Sequence, residues 1–259
     1  MNNSDEFYIG WEDKAPQGIG RRVRSAVVIM LGFAVALGIL LAVAQCTIGV
    51  SVFEWGTVKH FSGIFKSQPY PHLLVPRPGA RGDQTAFSSY HLVKPFKFGL
   101  DSQTADQFEG KAVNLKGTLI YRDNQTMIEV VDGSIQTTND SALLPANDSV
   151  PPVHLGRQTL IGEIVDSKCF LGVMNPGALV PHRACAIRCI SGGIPPVLLV
   201  RQTNGPALYF LLTSREGKPV NKVILNLVAE PVEITGDVER QGDLLILRAD
   251  PASYHQVMQ

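Results

Sequence analysis

The feature that most restricts how this chain can fold is a long apolar run near its N-terminus. Residues 25–53 contain no charged side chain, and residues 26–44 consist entirely of Ala, Val, Ile, Leu, Met, Phe and Gly. About 20 apolar residues are enough to cross the hydrocarbon core of a bilayer as a helix. We therefore predict a transmembrane helix over residues 25–53, which leaves the rest of the chain to fold outside the bilayer.

The basic residues that flank this run predict its orientation. Arg21, Arg22 and Arg24 precede it directly, whereas the nearest basic residue after it is Lys59. Lys and Arg concentrate on the cytoplasmic side of membrane helices. We expect a cytoplasmic tail over residues 1–24, a single pass through the inner (plasma) membrane, and a C-terminal bulk that is periplasmic or extracellular.

An alternative interpretation of the same run is a cleaved export signal. The sequence Ala42-Val43-Ala44, followed by Gln45, resembles a signal-peptidase site. The apolar run continues past this site to residue 53, which makes it longer than the core of an ordinary signal peptide. We therefore favour an uncleaved anchor.

The charge balance bears on possible partners. The 259 residues include 23 basic and 23 acidic side chains, so the formal net charge is zero. Nucleic-acid binding needs a basic footprint, and we predict no nucleic-acid partner. The partners that we expect are the membrane itself and other membrane-protein subunits, because the chain carries an anchor and a separate folded part.

The chain after the apolar run changes character along its length. Residues 54–110 are rich in proline, which breaks helices and keeps a chain extended. We interpret them as a juxtamembrane segment and a proline-rich arm, in which Trp55 suits a membrane–water interface. Residues 111–157 indicate a first β unit and a linker, and residues 158–259 indicate a second β domain.

Alternating apolar and polar side chains bounded by turn residues make the remainder mainly β. A short internal similarity suggests two related units, because residues 113–117 (VNLKG) and 232–236 (VEITG) share the pattern V-x-aliphatic-x-G. A glycine inside a strand marks a bend where a sheet curls, and Gly162 fits the same role. We predict one or two small OB-like β-barrel units after the transmembrane helix.

Three cysteines and a histidine lie close together in the second β domain. They are Cys169, His182, Cys185 and Cys189. The sequence around positions 181–190 predicts a short helix, which would place His182, Cys185 and Cys189 on one face. Asp166 either orients His182 or caps a turn.

Three chemical interpretations of this cluster stay open. The first is a disulfide, with Cys169, Cys185 and Cys189 as candidates, although an odd number of thiols leaves one unpaired. The second is a metal site in which Cys169, His182, Cys185 and Cys189 hold copper or zinc, because thiolates and imidazole are soft ligands. The third is a redox-active thiol pair near Arg183 and Arg188, whose charge would favour thiolates.

The motif around this cluster resembles that of a group of small exported bacterial domains. Residues 162–169 fit G-x-aliphatic-x-D-x-x-C, residues 182–189 fit H-x-x-C-A-x-x-C, and residues 193–195 fit G-x-P. The resemblance covers about residues 158–250. It implies an OB-like fold in an exported compartment and implies no reaction, because those domains mostly lack an assigned activity.

Together these features favour a non-enzymatic role. The chain contains no G-x-S-x-G elbow and no phosphate-binding glycine loop, and we predict no catalytic residue. The leading hypothesis is an accessory subunit of a membrane oxidoreductase or electron-transfer assembly, whose cluster binds a metal or forms a redox-responsive disulfide. The alternatives are a structural, partner-binding module with a stabilising disulfide, and a thiol oxidoreductase.

Overall fold

The computed structural model describes residues 16–46, 51–77, 87–139, 151–202 and 207–257. These fall into two compact units, residues 1–49 and residues 50–259. The first contains a long apolar helix, and the second is mainly β. The predicted fold class is therefore confirmed.

The N-terminal helix, α1, spans Gln17–Cys46. Its apolar side chains are exposed, since Ile29 is 71% and Phe33 is 68% accessible. Within the described residues it is the one helix with the length and composition to cross a membrane, a test that an export signal also passes. It begins before the predicted start at residue 25, and Ser51–Phe53, which the prediction placed at its end, is a strand that pairs with another strand.

The first β-barrel, barrel 1, is formed by five strands. They are β2 (Lys59–Lys66), β3 (His72–Pro76), β4 (Phe87–Val93), β5 (Ala112–Arg122) and β6 (Gln125–Val130). Antiparallel pairs join β2 to β3, β3 to β4, β6 to β5 and β5 to β2, and a parallel pair joins β4 to β6. The strands therefore close a Greek-key ring of the OB type.

Short elements complete barrel 1. Helix α2 (Ser102–Phe108) lies between β4 and β5 and is capped at its N-terminus by Asp101, whose side chain accepts a hydrogen bond from the Thr104 amide. Strands β1 (Ser51–Phe53) and β7 (Gln136–Thr137) both pair with β5. The barrel core includes Phe65, Leu73 and Ile128.

The predicted arm over residues 54–110 differs from this arrangement, because β2, β3 and β4 are integral strands of the barrel. The prolines that the structure describes lie where strands end, while Pro78 falls outside the described residues. Pro69 and Pro71 occupy the turn between β2 and β3, Pro76 ends β3, and Pro95 follows β4. Proline is tolerated at such positions because its missing backbone N–H removes no hydrogen bond between paired strands.

The second barrel, barrel 2, repeats the same order. Its strands are β8 (Val153–Asp166), β9 (Pro196–Val200), β10 (Leu208–Thr213), β11 (Pro231–Gln241) and β12 (Leu244–Arg248). Antiparallel pairs join β8 to β9, β9 to β10, β12 to β11 and β11 to β8, while β10 and β12 are parallel. Strand β8 begins inside the predicted linker, and β13 (His255–Gln256) pairs with β11.

Equivalent glycines show how closely the barrels correspond. A Cβ on Gly63 in β2 would lie 2.3 Å from the Leu74 carbonyl oxygen, and one on Gly162 in β8 would lie 2.6 Å from that of Leu199. Gly63 pairs with Val113 of β5, and Gly162 pairs with Val232 of β11. The two VxxxG segments thus occupy the same place in the fourth strand of each barrel, which confirms the prediction of two related units.

The two barrels share a core. Barrel 1 contributes Val93, Ile120 and Met127, and barrel 2 contributes Cys169, Leu171, Cys189 and Ile194. The Tyr70 hydroxyl of barrel 1 donates to the Leu212 carbonyl and accepts from the Val220 amide, each at 3.1 Å. The sulfur cluster is therefore built into the junction between the barrels.

Candidate metal centre

The connection from β8 to β9 carries the predicted cluster. It contains a π-helical turn (Cys169–Val173), a 3₁₀ turn (Val180–His182) and helix α3 (Arg183–Ser191). The predicted short helix with Cys185 and Cys189 is therefore present. A Cβ on Gly177 would lie 2.6 Å from the Phe170 Cα, so only glycine lets the connection fold back this closely.

The three thiols meet at one point. The Cys169 Sγ lies 3.8 Å from the Cys189 Sγ and 3.9 Å from the Cys185 Sγ. All three sulfurs lie within 4.8 Å of one another. Cys169 and Cys189 are buried, whereas Cys185 is partly exposed, so any ligand would reach the cluster from the Cys185 side.

The spacing of the sulfurs suits a metal ion. A Zn–S bond of about 2.3 Å places two sulfurs about 3.8 Å apart in a tetrahedral site and about 4.0 Å apart in a trigonal one. The two measured separations, 3.8 and 3.9 Å, fall in that interval. The cluster could therefore hold a soft metal ion with little rearrangement. A disulfide would require two sulfurs to approach to about 2.05 Å, and the pairing stays a prediction.

His182 lies in a second group, with Asp166 and Cys169, and all three are buried. The His182 Nε2 lies 3.0 Å from the Asp166 Oδ2. The other carboxylate oxygen, Oδ1, accepts a hydrogen bond of 2.8 Å from the Cys169 amide. Asp166 therefore fills both predicted roles, because it orients the imidazole and caps the turn that begins at Cys169.

The predicted four-residue ligand set is thus divided in the described structure. Cys169 belongs to both groups, while His182 belongs to the second and Cys185 and Cys189 to the first. A buried carboxylate that holds a histidine next to a ligand cluster is a common outer-shell arrangement in metal sites. A Cys₃His site stays a prediction, because His182 would have to turn toward the three sulfurs.

Lys97 completes the cluster from barrel 1 and was not predicted from the sequence. Its Nζ lies 2.7 Å from the Cys185 Sγ and 3.9 Å from the Cys189 Sγ. It sits in the loop between β4 and α2, far from the cysteines along the chain. The only local signal is a pair of lysines in the sequence KPFKF at residues 94–98, which does not point to a thiol site.

The contacts divide the thiols by acidity. A hydrogen bond from Cys169 lowers the pKa of the Cys189 thiol, burial opposes this, and the Lys97 charge assists it. The same hydrogen bond, then burial and the Asp166 charge, raise the pKa of Cys169. The hydrogen bond to Cys185 raises the pKa of Lys97, which favours its charged form. Cys189 is therefore better disposed than Cys169 to act as a thiolate.

A buried lysine holds the Lys97 loop in place. Lys168, next to Cys169 in the chain, is 1% exposed. Its Nζ contacts the Glu129 carboxylate at 2.5 Å and donates to the carbonyls of Lys94 at 2.8 Å and Phe96 at 2.7 Å. All of these partners belong to barrel 1. Lys168 therefore couples the segment that starts the thiol cluster to the loop that supplies Lys97.

Comparison with known proteins gives little further guidance. No family model matches the chain, and no curated protein matches it. Among solved structures the chain is similar to a deletion mutant of the single-stranded DNA binding protein from Thermus aquaticus. The identity is 12%, the match covers 82% of this chain and 96% of that chain, and the TM-score is 0.22. At this TM-score the likeness carries no argument about fold or function.

Proposed function

We propose that this protein is a membrane-anchored accessory subunit whose thiol cluster binds copper(I) or zinc in a membrane oxidoreductase or electron-transfer assembly. The observation that carries the proposal is the trio of sulfurs with separations of 3.8 and 3.9 Å, which matches the spacing expected around a soft metal ion. Thiolate ligands select copper(I) and zinc over hard cations.

The charges around the cluster support this function. Three thiolates from Cys169, Cys185 and Cys189 would carry three negative charges into a site of which two members are buried. A bound cation offsets one or two of these charges, and the Lys97 ammonium beside Cys185 offsets another. Because an uncompensated buried charge is costly, the cluster favours a bound cation once the thiols are deprotonated.

The anchor supports the proposed setting. Helix α1 exposes apolar side chains along residues 26–44, and basic residues precede this stretch. We propose that α1 remains in the inner membrane, with the two barrels on the periplasmic or extracellular side. A bound copper ion would supply one-electron chemistry there, whereas zinc would supply a structural cross-link between the π-helical turn that holds Cys169 and the helix that holds Cys185 and Cys189. No catalytic residue is assigned.

Metal analysis of the full-length chain in detergent tests the proposal. We expect about one equivalent of copper or zinc after reductive reconstitution with each metal separately. The variant Cys169→Ser should lose nearly all of it, because this sulfur belongs to both ligand groups. Cys46→Ser is the matched control, since this cysteine belongs to α1 and not to the three clustered thiols, and it should bind as the parent does.

Two results would contradict metal binding. One is a reduced, folded chain that takes up neither ion. The other is a Cys169→Ser chain that keeps the parent stoichiometry. Attachment of a reporter to the C-terminus tests the setting separately, because a cytoplasmic reporter would contradict the proposed orientation.

A redox-responsive disulfide is the second candidate, and one observation favours it. Cys169 lies at nearly equal distances from Cys189 and Cys185, 3.8 and 3.9 Å, so either partner is within reach. Equilibration with oxidised glutathione, a disulfide, would join two protein thiols and release two glutathione thiols. Thiol counting should then show a loss of two free thiols per chain, whereas an unchanged count would exclude this candidate.

A further inference from the structure

Three large aromatic side chains are unusually exposed. Outside α1, the described residues include only three Phe or Trp side chains that are more than half accessible: Trp55 at 78%, Phe96 at 82% and Phe98 at 56%. Trp55 follows β1 closely, and the two phenylalanines flank Lys97, whose ammonium contacts Cys185. Large exposed aromatic side chains are typical of interaction surfaces.

Phe96 is held outward by the backbone. Its φ is +62°, in the left-handed region that bulky side chains seldom adopt. Its carbonyl accepts a hydrogen bond of 2.7 Å from the buried Lys168 ammonium, which also binds the Lys94 carbonyl at 2.8 Å. The protein therefore uses a buried charge to maintain a strained turn that exposes a phenyl ring, and such strain persists where the surroundings enforce it.

Trp55 lies on a second segment, which packs against the core that the two barrels share. Its ring meets that of Phe53 edge-on, with centroids 5.2 Å apart. Phe53 packs against the core that the two barrels share, and Cys185 packs against the same core. The Lys97 loop reaches that core through the contact of its ammonium with Cys185, so both aromatic segments border the shared core.

We infer that Trp55, Phe96 and Phe98 form a lipid-contacting surface that inserts into the headgroup region of the bilayer. This inference rests on the proposed anchorage by α1. Trp55 follows α1 closely in the chain, so the anchor keeps it near a bilayer. The indole of Trp55, with its polar N–H, suits the membrane–water interface, and exposed phenyl rings suit the apolar side of a segment that lies in that interface. Lys97 lies between the two phenylalanines in the sequence.

The consequence for the site is positional. The loop that inserts its phenyl rings also carries Lys97, and the Lys168 ammonium fixes it against the turn that starts at Cys169. A lipid contact would therefore orient the partly exposed Cys185 toward the membrane surface. A partner that exchanges metal ions or electrons with this cluster would then be a membrane-embedded protein.

Fluorescence quenching by brominated phosphatidylcholine tests the surface. The full-length chain contains two tryptophans, so Trp11→Phe leaves Trp55 as the only reporter in chains reconstituted into phosphatidylcholine vesicles. We expect strong quenching of Trp55 by the brominated lipid. Phe96→Trp in a chain that also carries Trp11→Phe and Trp55→Phe should be quenched similarly.

Leu155→Trp in the same tryptophan-free background is the control. Leu155 is 44% exposed and lies in β8 far from the Asp166 end, so we expect little quenching. An alkaline wash of the vesicles reports the anchor independently. Release of the chain would overturn both the anchorage and the lipid contact. Retention with unquenched reporters at positions 55 and 96, or equal quenching at position 155, would overturn the lipid contact alone.

Discussion

Barrel 1 and barrel 2 share a strand order and equivalent glycines but use different connections. In barrel 1 the turn between the first two strands is short and holds Pro69 and Pro71. In barrel 2 the corresponding connection carries the π-helical turn, α3 and all three clustered thiols. After the third strand the roles are exchanged: here it is barrel 1 whose loop supplies a residue of the site, Lys97. The ring is a scaffold, and the connections supply the chemistry.

Because of this difference, the site needs residues from both barrels. Barrel 2 alone has the sulfurs, but their nearest cation comes from barrel 1. Barrel 1 alone has the loop, but the ammonium that organises its carbonyls comes from barrel 2. The asymmetry can be tested by variants that break one contact between the barrels at a time.

The largest effect on stability should come from Lys168→Met. This change leaves the Glu129 carboxylate, only 13% exposed, without its partner, and it also removes the donor to two carbonyls. Breaking a buried ion pair from one side costs about 3–5 kcal/mol. Denaturant unfolding of the full chain in detergent should show this loss. The double variant Lys168→Met with Glu129→Leu should recover much of it, and equal instability of both variants would contradict the ion-pair explanation.

The next largest effect should come from the equivalent glycines. Alanine at Gly63 or Gly162 would bring a Cβ to 2.3 or 2.6 Å from a backbone oxygen of the neighbouring strand. Overpacking of this kind costs about 1–3 kcal/mol, and we expect similar losses of unfolding free energy in both barrels. Gly20→Ala is the control, because a Cβ there meets nothing within 4 Å. If only one of the two variants loses unfolding free energy, the glycines are equivalent in position but not in their contribution to stability.

Removal of the Lys97 charge should weaken metal binding without disrupting the fold. Outer-shell changes typically lower metal affinity by about 10- to 100-fold, and we expect this range for Lys97→Met in competition titrations with a chromophoric chelator. Lys94→Met is the matched control in the same loop, because its ammonium pairs with Asp101 at 2.7 Å instead of with a thiol. Equal affinities of both variants would show that the charge from barrel 1 plays no part.

The effect that is smallest near neutral pH, and that grows as the pH falls, should be an acid dependence that originates in barrel 1. Burial, assisted by His72, lowers the pKa of His91 to about 3, whereas an imidazole in an unfolded chain has a pKa of about 6.5. Between these values the unfolded chain binds the additional proton, so stability should fall as the pH drops from about 6.5 to about 3. The slope is at most about 1.4 kcal/mol per pH unit.

The variant His91→Leu should flatten this slope, as measured by unfolding at a series of pH values. His60→Leu, at an exposed position of β2, tests whether the loss of any imidazole has the same result. A parent slope that persists in His91→Leu would assign the acid sensitivity to other groups.

The sequence was informative where the structural signal is local. The apolar run predicted α1 but not its bounds, since Ser51–Phe53, at the end of the run, is a strand that pairs with β5. The spacing of Cys185 and Cys189 predicted their common helix face. The proline-rich stretch was misleading. A high proline content is expected both for an extended arm and for short strands that end at prolines, and only the pairing of β2 with β5 shows that this stretch belongs to a barrel.

The sequence by itself determined the apolar helix, the mainly β character, the two related units and the thiols that could meet. Each of these follows from periodicity or spacing over a few residues, which the backbone geometry of helices and strands converts into a shared face. Only the tertiary structure decided that Lys97 faces Cys185, that Lys168 binds Glu129, and that His182 turns toward Asp166. The first two contacts join barrel 1 to barrel 2, so they depend on how the barrels pack together. The third joins the end of β8 to the turn before α3 and depends on how that connection folds back, which no local pattern encodes.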